Sequence, residues 1–208
     1  MPRGKFITFE GGEGSGKSTQ ASHLVSFLGG QGIETVLTRE PGGVPFAEQL
    51  REIILAKKPA SPNTEFLLFA AARCEHIAGL IEPVLSLGQW VVCDRYIDST
   101  RVYQGRLAGI EPELIATVER HTVGAVYPDL TFILDVNPRI GVARAQARGE
   151  LSRYDSASDA EHMTVRQGFL DIAAAEPMRC VVVDGSEDEN EIARQIASVV
   201  DRRMLQQG

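Results

Sequence analysis

The chain has 208 residues, 43% apolar and 24% charged, which suits one ordered globular domain over residues 1–208 and excludes a disordered chain. A net charge of −7 argues against a nucleic-acid backbone as the partner, since that contact needs clustered positive charge. No apolar run reaches the roughly 18 residues of a membrane span, and Met1–Lys5 lead into an apolar pattern without a signal-peptide profile, so neither nucleic acid nor membrane is an expected partner.

Short β-rich apolar runs alternate with amphipathic stretches, the pattern of a parallel sheet covered by helices. The first predicted strand is Phe6–Phe9. After it, Ala21, Leu24, Val25 and Leu28 recur at helical spacing, and Gly29-Gly30 is expected to end that helix. A strand over Ile33–Leu37 follows, then a helix whose buried face is expected to hold Phe46, Leu50, Ile53 and Ile54. A longer helical pattern runs from about Thr64 to Leu80, with Pro83 placed to break or kink it. Strands over Trp90–Cys93, Leu130–Leu134 and Cys180–Val183 complete the sheet, and Ile192, Ile196, Val199 and Val200 stripe the last helix. Pro112 and Pro138 stand where first helical turns begin, with Asn137 the cap of the second. From Arg139 to Asp155 the chain is arginine-rich and poor in apolar period, which predicts a mobile flap. Cys74, Cys93 and Cys180 fit neither a zinc site nor a disulfide framework, and are expected as small core residues in a reducing, cytoplasmic setting.

Gly11-Gly12-Glu13-Gly14-Ser15-Gly16-Lys17-Ser18 matches G-x-x-x-x-G-K-[ST] at every fixed position, after a strand and before a helix, as a phosphate-binding loop requires. Its glycines let successive N–H groups converge on an anion, and the helix N-terminus adds partial positive charge. Lys17 can reach β- and γ-phosphates and Ser18 can ligate Mg²⁺. The fold expected is therefore α/β of the P-loop NTPase kind: a five-stranded parallel sheet flanked by helices, with an Arg-rich lid at about 139–155. The motif leaves the reaction open. A GTPase needs Asn-Lys-x-Asp, yet none of the four lysines follows an asparagine, and a motor needs more chain. A small kinase fits best, with a nucleotide-binding module lacking turnover as the rival.

Five segments, in order and spacing, resemble bacterial thymidylate kinases. They are Phe9-Glu10-Gly11 through Lys17-Ser18-Thr19; Thr38-Arg39-Glu40-Pro41-Gly42-Gly43; Phe69 with Arg73; Asp94-Arg95-Tyr96 with Ser99, Thr100, Tyr103 and Gln104; and Arg144 with Arg148-Gly149-Glu150. The resemblance implies ATP-dependent phosphorylation of dTMP, with ATP bound by Gly11, Gly12, Glu13, Gly14, Ser15, Gly16, Lys17, Ser18, Thr19 and Arg144. It implies Mg²⁺ at Ser18 and Asp94, and a homodimer formed through helix faces.

For the acceptor, the resemblance implies Phe69 stacked on thymine, Arg73 on a base carbonyl, Thr100 at the base edge and Tyr103 beneath the sugar. Arg39-Glu40-Pro41-Gly42-Gly43 is implied to be the loop beside the acceptor's phosphate and sugar, with Glu40, Pro41, Ser99 and Gln104 in the set, Glu13 near the 3′-hydroxyl and Arg51 a candidate phosphate contact. Arg95 is implied to touch both phosphates. Gly14 stands where some relatives carry an arginine, so the catalytic charge is expected from the lid, at Arg148 or Arg153. The lid reads Ser152-Arg153-Tyr154-Asp155, a departure from the Asp-Arg-apolar-Glu more usual in relatives. Since a phosphate oxygen is already anionic, alignment and charge stabilisation would suffice for transfer. AMP, CMP, GMP or a deoxynucleoside remain alternative acceptors.

Overall fold

The computed structural model describes residues 2–56, 59, 61–147, 149 and 157–206. Among these, β1 (Phe6–Glu10), β2 (Thr35–Arg39), β3 (Trp90–Asp94), β4 (Leu130–Asp135) and β5 (Cys180–Asp184) form one parallel sheet in the order β2-β3-β1-β4-β5. Parallel strands need crossovers, and helices supply them. α1 (Lys17–Gly30) follows β1; α2 (Pro45–Ala56), α3 (Pro62–His76) and α4 (Glu82–Ser86) join β2 to β3. α5 (Ile97–Thr100) and α6 (Pro112–Thr122) join β3 to β4, α7 (Pro138–Ala147) and α8 (Asp159–Ala175) join β4 to β5, and α9 (Glu189–Val200) closes the order.

β1 is the central strand and is buried on both faces, which is why it reads as an unbroken apolar run. Its side chains alternate across the sheet. Ile7 and Phe9 pack with Leu24 and Leu28 of α1, Phe132 of β4 and Ile196 and Val200 of α9. Phe6 faces the other way, onto Ile77, Ile81, Leu85 and Tyr96. The rings of Phe9 and Phe132 stack with centroids 5.4 Å apart, and burying side chains of this size stabilises the fold by roughly 1.5–3 kcal/mol each. The central strand is thereby held rigid where its carboxyl end opens into the phosphate loop.

Four local expectations are corrected. β2 starts at Thr35, because the Ile33 N–H instead donates to Leu28 O at 3.0 Å and finishes α1, with Gly32 taking the left-handed φ of 75°. The strand therefore extends to Arg39, opposite Asp94. On α2 the buried residues are Ala47 and Ile54, while Phe46 and Ile53 stay 54% and 56% exposed and Leu50 is half-buried. Pro83 does not break its helix. The backbone widens to π geometry over Ile77–Ile81, with Glu82 N–H bonded to Ile77 O, and runs on to Ser86; the wider turn absorbs the missing N–H and the ring. Finally, the predicted flap begins as helix α7, capped by Asn137 Oδ1, which accepts the Arg139 N–H at 3.0 Å. Its apolar period is weak because its buried residues, Gly141 and Ala145, are small.

Cys93 and Cys180 are buried and Cys74 half-buried, all with free thiols. Burial pushes the Cys180 thiol up to about 12 and the Cys93 thiol well above its ordinary value, which leaves them small apolar residues. No helix among the described residues is long and apolar enough to cross a membrane.

Candidate active site

The carboxyl ends of β1 and β3 lie side by side, and open α/β sheets bind ligands at that edge. From β1 the chain turns through Gly11, Gly14 and Gly16 at φ of 141°, 63° and 93°, values that favour glycine, and enters α1 at Lys17. Lys17 Nζ is buried, donating to Gly12 O at 2.7 Å and Ser15 Oγ at 3.1 Å. Burial, then repulsion from Arg95, pulls its pKa down to about 8. An ammonium held in this way favours an incoming polyanion. The Ser18 hydroxyl donates to Asp94 Oδ2, while Asp94 Oδ1 is buried without a hydrogen-bond partner among the described residues. A hydroxyl beside a carboxylate with one unused oxygen is a donor set suited to a hard divalent cation that keeps most of its water.

α7 lies directly on this loop. A Cβ at Gly14 would stand 1.9 Å from Gly141 O, and one at Gly141 would stand 2.3 Å from Glu13 O. No side chain fits at either position without moving the helix from the loop. Arg144, one turn along α7, donates to Gly185 O at 2.7 Å and joins the helix to the loop after β5. Among the described residues, the Arg139 side chain makes an exposed pair with Asp159 at 3.4 Å. The proposed lid arginines Arg148 and Arg153 lie outside the described residues.

Arg95 follows β3 at φ 69°, the left-handed region that a side chain seldom adopts. The turn is held by Arg95 N–H on Phe9 O at 2.9 Å and by Glu10, whose carboxylate accepts Tyr96 N–H at 2.7 Å, Ser99 N–H at 3.2 Å and Ser99 Oγ–H at 2.6 Å. Burial, then the Asp98 carboxylate, raises the Glu10 pKa from 4.5 to about 7. Asp98, at the start of α5, is in turn gripped by Arg179 at 2.7 and 2.9 Å. So turned, Arg95 donates to Gly11 O at 3.1 Å and to Glu13 Oε1 at 2.7 Å, and sits 5.4 Å from the centroid of the Tyr103 ring. Burial acts to raise the Glu13 pKa, but Arg95 and Lys17 outweigh it and hold the carboxyl below its ordinary value.

Beside Arg95 opens a cavity of about 220 Å³. Its lining includes all of Glu13, Glu40, Pro41, Arg51, Phe69, Arg73, Arg95, Ser99, Thr100, Tyr103 and Gln104, together with Ser18 and Asp94. Residues from five separate stretches of sequence therefore meet in one space. Phe66 is core whereas Phe69 is half-buried and lines the cavity. Arg73 is 3% exposed and donates to Glu40 Oε2 at 2.7 Å, Thr100 Oγ1 at 3.0 Å and Tyr96 O at 3.1 Å. Arg51 donates to Pro41 O at 2.7 Å, and burial, then repulsion from Arg39, lowers its pKa. Crowded guanidiniums of this kind welcome a phosphate. Sequence reasoning placed Arg39 only within the acceptor loop, and gave no site role to Leu55 or Tyr96 of the lining or to the supporting Glu10, His76 and Asp98. Arg39 was legible within the Thr38–Gly43 motif; a buried aspartate after Asp-Arg-Tyr carries no such signal.

The thymidylate kinase family model matches residues 9–196. The chain belongs to the thymidylate kinase family. Relatives named thymidylate kinase in Bradyrhizobium diazoefficiens and Nitrobacter hamburgensis are each 46% identical over 208 residues, covering 98% of this chain and 91% and 90% of their own lengths. The crystal structure of thymidylate kinase from Ehrlichia chaffeensis superimposes with a TM-score of 0.78 at 35% identity, over 96% of this chain and 99% of that one. Family membership thus accompanies the same α/β fold as well as the same sequence pattern.

Proposed function

We infer that this chain transfers the γ-phosphoryl group of ATP to dTMP, giving dTDP, within one domain that spans residues 1–208. The observation that carries the reading is the convergence of Phe69, Arg73, Thr100 and Tyr103 on a cavity that also reaches Ser18 and Asp94. An aromatic face, a fixed guanidinium and a hydroxyl suit a pyrimidine base, and the cavity's other end suits its phosphate. The Tyr103 hydroxyl donates to Glu13 Oε1 at 3.2 Å, which supports a ring beneath the sugar with the Glu13 carboxylate near the 3′-hydroxyl.

The acceptor phosphate is itself the nucleophile, so in-line transfer needs no protein base. Lys17 exchanges its internal acceptors for β- and γ-phosphate oxygens. Arg95 bridges donor and acceptor phosphates, and Arg51 and Arg39 draw in the acceptor. Arg144, tied to Gly185, adds to the positive patch that faces ATP, and a lid arginine at 148 or 153 adds charge on closure while excluding water. Ser18 and Asp94 would hold Mg²⁺, which would neutralise phosphate charge when ATP is bound.

Exposed apolar residues on three helices, Phe46, Ile53, Leu67 and Leu114, support a homodimer formed through those faces. Free cysteines and the lack of a spanning helix among the described residues support a cytoplasmic setting.

ADP release from Mg-ATP, followed with dTMP, dUMP, AMP, CMP or GMP as acceptor, tests the reading. A strong preference for dTMP is expected. Preference for a purine monophosphate or CMP overturns the acceptor assignment and leaves the phosphoryl chemistry; no acceptor-dependent release overturns both.

A further inference from the structure

α3 places Arg73 and His76 three residues apart, and so on one face. Both are buried, and His76 is wholly so. Its imidazole lies between two groups of the β2 end: Nδ1 is 3.1 Å from Glu40 Oε1 and Nε2 is 2.7 Å from Thr38 Oγ1. A carboxylate only accepts, so Nδ1–H is the donor to Glu40. The other carboxylate oxygen, Oε2, accepts from Arg73 Nε. Glu40 is therefore clamped from both sides, its backbone N–H also bonded to Asp94 O at 3.0 Å. The turn after it rests on the same ring: a Cβ at Gly43 would come within 2.4 Å of His76 Nε2.

We propose that His76 is a positioning residue for the acceptor base. Through the Thr38–His76–Glu40–Arg73 chain it fixes the plane of the Arg73 guanidinium in the cavity. Arg73 has three partners, one after β2 and two from the segment that follows β3, and Glu40 is the carboxylate among them. If Nδ1–H is removed, Glu40 Oε1 becomes a buried carboxylate oxygen without that donor, and the carboxylate turns to recover one, carrying Arg73 Nε out of register. The relay touches the acceptor loop and no residue of the phosphate loop, so its loss should fall on one substrate. The inference rests on Arg73 reading the base, as proposed above.

The test is steady-state kinetics with each substrate varied in turn. His76→Leu should raise KM for dTMP by about tenfold or more, as the loss of a buried charged hydrogen bond predicts. The KM for ATP should stay within about twofold, and kcat should change little by comparison. His76→Asn, whose amide N–H can stand in for Nδ1–H, should restore most of the dTMP affinity. His76→Gln, which reaches toward Thr38 instead, should not; this pair decides the matter even if the leucine variant fails to fold. An unchanged KM for dTMP in His76→Leu, equal rises for both substrates, or recovery by glutamine as full as by asparagine overturns the relay. Arg73→Gln serves as the reference. If it raises KM for dTMP while the His76 variants do not, only the relay is overturned; if it leaves that KM unchanged, the base-site reading itself fails and the relay with it.

Discussion

Arg95 acquires its position from a backbone torsion, and Glu10 maintains that torsion. Three donors from the Arg95–Ser99 turn converge on the Glu10 carboxylate, which no solvent reaches. Its pKa, raised from 4.5 to about 7 by burial and Asp98 against the opposing pull of Ser99 and Arg95, has a consequence for stability. A carboxyl that holds its proton more tightly in the fold than in the unfolded chain contributes stability fully below about pH 4.5. That contribution is lost as pH rises through about 7. At 1.36 kcal/mol per unit the span is worth about 3 kcal/mol. Glu10→Gln has no such titration. Thermal melts at pH 5 and pH 8 should show the wild type falling behind the variant by several degrees as pH rises; a constant difference between the two proteins would contradict the assignment. Glu10 stood in the sequence as part of Phe9-Glu10-Gly11, but its role depends on the turn after β3, eighty-odd residues away, and no local pattern announces it.

Elements carry the second level of the design. α7 docks on the phosphate loop by backbone contact, and two glycines on opposite sides make room for it. Gly14 stood out in the sequence at a variable position inside the phosphate-loop motif, whereas Gly141 looked like one more small residue in a polar stretch. Its importance belongs to the pairing. Gly141→Ala forces a methyl group against Glu13 O, so the helix must lift from the loop. We expect this variant to raise KM for ATP by roughly fivefold or more while KM for dTMP stays near the wild-type value, since a misplaced loop weakens phosphate positioning. Unchanged ATP affinity would show that α7 is not seated on the loop during turnover. The long helix before β3 teaches the converse. Pro83 is a local stop signal, yet burial of Ile77, Ile81 and Leu85 against the sheet outweighs it, and a π turn reconciles the two. α2 misled for another reason: Phe46 and Ile53 obey helical periodicity, but their apolar stripe faces outward and only Ala47 and Ile54 meet the core. Periodicity reports that a face is shared, not what covers it.

At the scale of the whole molecule, a net charge of −7 coexists with a site that gathers Lys17, Arg39, Arg51, Arg73 and Arg95 around one edge of the sheet. Each of these cations except Lys17 comes after the first strand–loop–helix unit, and the sheet order brings them beside it. Four of the five short motifs meet in the cavity's lining, where Arg51 and Leu55 of α2 join them from outside any motif. Motifs record direct contacts with a ligand, which chemistry restricts to a few residue types. The supports behind them, His76 under Glu40, Arg179 under Asp98 and Glu10 under Arg95, are ordinary polar residues whose value comes only from burial and partners. The strands were legible because a central parallel strand is apolar along its length; every strand but β2 ends one residue later than its apolar run, and β2, at the sheet edge, shifted at both ends.

The central claim is that a phosphoryl group passes directly from ATP to dTMP at this sheet edge. ATP labelled at the γ-phosphate, incubated with the protein, Mg²⁺ and dTMP, gives the most direct measurement. The label should appear in the β-phosphate of dTDP, one equivalent for each ADP formed, and should be lost with Lys17→Met. Label recovered only as inorganic phosphate, or released at the same rate without dTMP, would contradict the account.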